Sequence, residues 1–172
     1  GFLEATYQDD RTLALAQGIL DVPGLLSGTA RVDLLLRVIT RSKMDGRRDL
    51  QRRLAEEALA AARTAGDRDR ELRSSLVVAT GRMYTGDVAG AEALYREVAV
   101  RARAEGHEGV EVVAIANLGN VLDRQGRPQE AEPLIRQALD AFGKRGGRAR
   151  EAQVSHDLGV CLIHQGRRAE AR

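Results

Sequence analysis

Two interleaved glycine series run through the chain at a common period of 40 residues: Gly46, Gly86, Gly126 and Gly166, and, offset by 20, Gly66, Gly106 and Gly146. Between them the same kinds of residue recur in register. Ala91, Ala131 and Ala171 form one row, Ala79, Gly119 and Gly159 another, and Val78, Leu118 and Leu158 a third. A chain that repeats itself at this spacing folds by stacking like units rather than by closing one irregular core. Each glycine-to-glycine interval places apolar residues at i, i+3, i+4 and i+7 among strong helix formers, which predicts one amphipathic helix per interval. In residues 127–142, Ala131, Leu134, Ile135 and Ala138 make the apolar stripe, and Gln129, Glu130, Arg136 and Asp140 are left for solvent. Pro128 suits the first helical position, where a missing N–H costs nothing, whereas Pro133 lies a turn further in and predicts a lost hydrogen bond and a slight kink. The glycines supply positive φ where each helix must end and the chain reverse.

Alternate helices, A then B, therefore make antiparallel pairs. The small residues show where they meet: Gly119 on an A helix and Ala131 on the following B helix stand twelve residues apart around the turn at Gly126, and Gly159 with Ala171, and Ala79 with Ala91, repeat the arrangement. Axes approach that closely only where no bulky side chain intervenes.

Residues 114–142, AIANLGNVLDRQGRPQEAEPLIRQALDAF, resemble the tetratricopeptide repeat, in particular the longer repeats of the kinesin light chain type. Asn117-Leu118-Gly119 and Glu130-Ala131-Glu132-Pro133-Leu134 carry the likeness. The resemblance implies an all-α, right-handed superhelical solenoid of antiparallel helix pairs. Its organisation is an N-terminal helix or half repeat over 1–28, a divergent repeat over 29–68, repeats over 69–108 and 109–147, and a truncated fourth over 148–172. In the divergent repeat Ile39 and Gln51 stand where the family has small residues, so looser packing or a shifted register is expected. Residues 9–21 read as a B helix 40 residues ahead of 50–64. The chain opens on Gly1 and stops early in a B helix, which reads as a fragment of a larger protein. Its last A helix is expected to show Val154, Leu158, Cys161 and Leu162 to solvent and to favour self-association through uncapped ends.

Composition narrows the functions. With 43% hydrophobic residues there is enough for a core, but every apolar run is broken far short of the roughly 20 residues that span a bilayer, so a membrane role is not expected and a cytoplasmic location is. The net charge of +2 is spread along the chain and forms no polybasic patch, which argues against nucleic-acid binding. The bias to Arg, Ala and Gly, with Lys43 and Lys144 the only lysines, suggests a GC-rich bacterial source.

No catalytic or cofactor motif emerges, and neither an enzyme, a cofactor nor a metal site is expected. Ser155-His156-Asp157 has a hydrolase triad's composition, but neighbours on a helix point about 100° apart and cannot form the relay. Asp157, Cys161 and His164 share a face, yet Cys161 falls at a packing position filled by Gly81 and Val121 elsewhere. Gly143-Lys144-Arg145-Gly146-Gly147 lacks the spacing of a phosphate loop and reads as a helix-end turn. The carboxylate pairs Asp9-Asp10 and Glu56-Glu57 read as surface or capping residues.

What the resemblance implies instead is a concave groove lined by A helices that binds a peptide or a partner's helix. The register assigns to it Arg73, Thr80, Met83, Tyr84, Asn117, Asn120, Asp123, Arg124, His156 and His164, together with Asp33, Leu36, Thr40 and Lys43 of the divergent repeat. Asn120 resembles the groove asparagine with which the family holds a ligand's backbone, because an amide donates and accepts at once. Bonding of Asn117 or Asn120 to a neighbouring helix is the structural alternative. The places that hold lysines in carboxylate-clamping members are Arg73, Leu76, Ala116 and His156 here, which argues against that role. An acidic-amphipathic protein or peptide segment is the expected partner. A second function stays open, that of a regulatory or sensor domain of a larger bacterial signalling or transcription protein that controls an attached output domain. The loop Arg63-Thr64-Ala65-Gly66-Asp67 resembles those beside such domains.

Overall fold

The computed structural model describes residue 11, residues 14–42 and residues 48–171, with backbone alone at 41 and 42. The expectations for Lys43, Gly46 and Asp9-Asp10 lie outside the described residues. Those that are described form helices and turns and no strand.

The chain divides into two compact units, one up to Gly81 and one from Arg82. The first holds α1 (residues 14–21), α2 (Gly28–Ser42), α3 (Arg48–Thr64) and most of α4 (Arg68–Tyr84). The second holds the end of α4, then α5 (Val88–Ala104), α6 (Glu108–Arg124), α7 (Pro128–Lys144) and α8 (Arg148–His164). From α3 to α8 every helix has 17 residues. Helices α2, α4, α6 and α8 are the A helices of the sequence register.

One turn design repeats between these helices. The glycine, Gly66, Gly86, Gly106, Gly126 or Gly146, has φ between 66° and 92°, and Gly166 does the same after α8. The next residue sends its N–H back five positions, as in Asp67 to the Ala62 carbonyl (3.1 Å), His107 to Ala102 (2.8 Å), Arg127 to Leu122 (3.0 Å) and Arg167 to Leu162 (2.9 Å). A left-handed residue in this position lets the last turn's carbonyls find donors, and only glycine adopts it without strain. The starts of the helices are handled differently. Asp67 and Asp87 accept the N–H of Arg70 and Gly90 at 3.0 and 2.9 Å, while α7 opens on Pro128, which has no N–H to satisfy. Helix α7 runs unbroken through Pro133.

Pairing of α6 with α7 rests on a size match. A Cβ built on Gly119 would stand 2.6 Å from Ile135 Cγ1 and 3.3 Å from the Ala131 carbonyl oxygen, so the bulk of Ile135 occupies the space that a side chain at 119 would need. In the α2–α3 pair the sizes are exchanged. Ile39 holds the position of Gly119 and is 1% exposed, and Ala55 holds that of Ile135 and is buried with it. In the divergent repeat the large residue has moved to the other helix and is buried there, and the pair's summed volume differs from that of Gly119 and Ile135 by one methyl group.

Two expectations are corrected by burial. Val154, Leu158, Cys161 and Leu162 are 3, 9, 0 and 2% exposed rather than open to solvent. An A helix has two contact faces, and these residues turn back to α7 and α6, which both touch α8. The face towards the following B helix carries Ala152, Ser155 and Gly159, and Ala171 already lies 3.5 Å from the Cβ direction of Gly159. The ground for association through this end is therefore absent. At the other end the 40-residue register fails in α1. Leu20 is buried against α2 and α3, whereas its counterparts Ala60, Val100 and Asp140 are exposed. Six residues, 22–27, join α1 to α2 in place of the three found at the later turns, and the longer link allows α1 a different rotation.

Candidate functional site

Within the second unit α6 and α8 touch each other beside α7. Asn117, Asn120 and Arg124 fall at i, i+3 and i+7 of α6 and so share a stripe. Both amides are half-buried and Arg124 is exposed. Neither asparagine side chain bonds another described residue, so the alternative in which they tie neighbouring helices has no bond to carry it. Two amides able to donate and accept thus stand at a half-covered surface.

Asp123, one residue round from the stripe, is 8% exposed, and both its oxygens lie 2.9 Å from His164 Nδ1 on α8. This contact joins the C-terminal ends of the two A helices. It removes Asp123 from the accessible surface and leaves Arg124 and about half of the His164 side chain exposed. His156 is exposed one helical face along, without contact to this group.

The first unit makes a comparable tie at the opposite end of its A helices. Arg70 of α4 donates to both oxygens of Asp33 on α2, at 2.8 and 2.7 Å, and to Asp67 at 2.7 Å. Arg70 holds both carboxyls below their usual range, by its guanidinium bonds at Asp33 and chiefly by its backbone N–H at Asp67. Arg73 is bonded to Asp69, and Thr80 gives its hydroxyl to the Leu76 carbonyl at 2.9 Å. Both side chains thus have partners within their own helix. Met83 is half-buried and Tyr84 half-exposed, at the end of α4.

A second set of contacts recurs at 40 residues and was not anticipated from the sequence. Arg127 and Gln125, in the turn after α6, meet Glu92 of α5 and one another, with Arg127 to Glu92 at 3.1 Å. Arg167 and Gln165, in the turn after α8, reach Glu132 of α7 at 2.6 and 2.9 Å. Arg96 first and then Gln125 and Arg127 hold the Glu92 carboxyl down, and Gln165 and Arg136 do so for Glu132. The signal was present, since Gln125 and Gln165, Arg127 and Arg167, and Glu92 and Glu132 are all exact register partners.

The remaining chemical candidates do not assemble. Asp157 accepts the Gln153 amide at 3.1 Å, and Cys161 donates its thiol to the Pro128 carbonyl at 3.3 Å. Burial pushes the Cys161 thiol up from its ordinary value. Among the described residues no three His, Cys, Asp or Glu side chains come together as a metal site. Nor is any described helix long and apolar enough to cross a membrane.

Residues 111–172 match the family model of the tetratricopeptide repeat. By this match the stretch is similar to the tetratricopeptide repeat. The fold likeness extends beyond it. Solved TPR-like repeats attributed to a kinesin light chain of Podosopora anserina superpose with a TM-score of 0.67 at 17% identity, and their Q17M variant with 0.71 at 19%, each over 97% of this chain and 83% of that one. The Rap conjugation gene regulator of plasmid pLS20, solved in complex with the Phr* peptide, superposes with a TM-score of 0.77 at 16% identity. That match takes in 99% of this chain, which spans 47% of the regulator's length. At these identities the likeness is one of fold. No curated protein sequence matches the chain.

Proposed function

We propose that the chain is a non-enzymatic protein-interaction module whose tetratricopeptide A-helix face receives an extended peptide or a partner's helix. The observation that carries this reading is the pair of half-buried, unbonded amides of Asn117 and Asn120, flanked by the exposed Arg124. Amides in this setting match the alternating N–H and C=O groups of a peptide backbone. Arg124 and His164 favour an acidic side chain on the ligand, and Met83 and Tyr84 offer adaptable apolar contact further along the register. His156 is assigned to the periphery of this surface, and Arg73 and Thr80 to the A-helix face of the first unit. A cytoplasmic setting suits such a module.

A second reading, that of a sensor domain governing an attached output domain, is favoured by one observation. The Rap regulator, whose fold covers nearly the whole of this chain, is a gene regulator solved with a peptide bound. The two readings share the peptide site and differ in what binding does.

Selection of peptides from a random display library against the whole chain tests the site. Selected peptides are expected to lose on the order of tenfold or more in affinity for the Asn117→Ala/Asn120→Ala variant, since each lost hydrogen bond is worth roughly 0.5–1.5 kcal/mol. Equal affinity for both proteins, with the variant's helicity and melting temperature unchanged, would remove the amides from the function.

A further inference from the structure

From α3 onwards the junction between each B helix and the next A helix follows a rule that is broken once. At the α3–α4 turn Arg63 of the B helix reaches Glu71 of the A helix, with Nε to Oε1 at 3.4 Å. At the α5–α6 turn Arg103 reaches Glu111 in the same way at 2.7 Å. In both cases the pair is i, i+8 across a glycine turn and the carboxylate is largely covered. At the α7–α8 turn the carboxylate is present as Glu151, but the residue eight positions earlier is Gly143.

The missing side chain leaves both a space and a charge. The Glu151 carboxylate lies 3.7 Å from where a Cβ of residue 143 would be, so it leans into the gap. A shallow cleft, wide open to solvent, lies there, lined by Arg136, Leu139, Asp140, Gly143, Lys144 and Glu151. The two cations in its wall have partners of their own: Lys144 holds Asp140 at 2.6 Å and Arg136 holds Glu132 at 2.9 Å. Arg148 stands three residues before Glu151, as Arg68 does before Glu71, yet where Arg68 bonds Glu71 at 2.6 Å, Arg148 makes no such bond. Half-buried Glu151 thus bears no ion pair among the described residues.

We infer that this cleft is a seat for an arginine side chain presented by a partner polypeptide, with Glu151 as its anionic partner. The guanidinium would take the place held by Arg63 and Arg103 at the earlier junctions, and its methylenes would lie along Leu139. A planar, forked donor suits a carboxylate at the rim of an apolar wall better than an ammonium does. The seat is formed by the α7–α8 junction and shares no residue with the proposed peptide site, so either can fail without the other.

The test is an amide NMR titration of the whole chain with N-acetyl-arginine methylamide, and with the uncharged citrulline analogue as control. Saturable shifts at Gly143, Lys144 and Glu151 are expected with the arginine probe and not with citrulline. They are expected to vanish in Glu151→Gln, and in Gly143→Arg, where the chain supplies its own guanidinium, but to persist in Gly143→Ala, whose added methyl makes only ordinary contact. Shifts that survive Glu151→Gln, equal shifts with citrulline, or no saturable response in the wild-type chain would overturn the assignment. Tighter binding of free arginine than of the blocked probe would overturn the choice of a polypeptide partner.

Discussion

Gly119→Ile is expected to destabilise the protein by about 1–3 kcal/mol, the usual cost of forcing bulk into a packed contact. Replacing a glycine inside a helix is by itself favourable by roughly 0.5–1 kcal/mol, so a net loss isolates the clash with Ile135. Ile135→Ala is expected to cost about 2–5 kcal/mol by leaving a cavity. The informative variant combines the two. Gly119→Ile/Ile135→Ala recreates in the α6–α7 pair the arrangement that Ile39 and Ala55 already make in the α2–α3 pair, where both residues are buried. Its loss is expected to fall well below the sum of the single losses, with a coupling of at least about 0.5 kcal/mol. Denaturant unfolding of the four proteins measures it. Simple additivity would mean that residues 119 and 135 do not share one space, and the helix register would be wrong.

Cys161 gives the second large effect. From sequence there are two readings of it, a buried thiol at a packing position and a residue shown to solvent on the last A helix. The structure buries it completely, engages its thiol with the Pro128 carbonyl and raises its pKa by desolvation. Only the thiolate is reactive, and reaching it requires α8 to open. Labelling by a disulfide reagent under native conditions is therefore expected to be slower than in denaturant by on the order of a hundredfold or more. Equal rates in the two conditions would show that α8 does not pack as described.

How much was legible follows from which signals are local. Turns were readable because a positive φ needs glycine, and helices because the apolar period is 3.6. Gly119 and Ala131 were readable as a contact because two small residues at fixed distance from a turn permit little else. The swap of Ile39 with Ala55 was not, since a single large residue at a small-residue position looks like a defect until its partner is known. The facing of α8 was misjudged because its two contact faces both carry apolar or small residues, and only packing shows that Leu158 and Leu162 point back to α7 and α6. In the candidate site the helical stripe of Asn117, Asn120 and Arg124 could be read from spacing. The withdrawal of Asp123 into a bond with His164 could not, because it joins residues 41 positions apart on separate helices.

The central claim is that ligands enter on the A-helix face. It is tested most directly by placing a photo-crosslinking amino acid at the half-buried position 113 of α6, one turn before Asn117 on the same stripe, or at the exposed position 137 of α7, and irradiating each protein with a display-selected peptide. The account predicts covalent capture from position 113 and none from 137. Capture from 137 alone would contradict it and move the ligand to the outer face of the B helices.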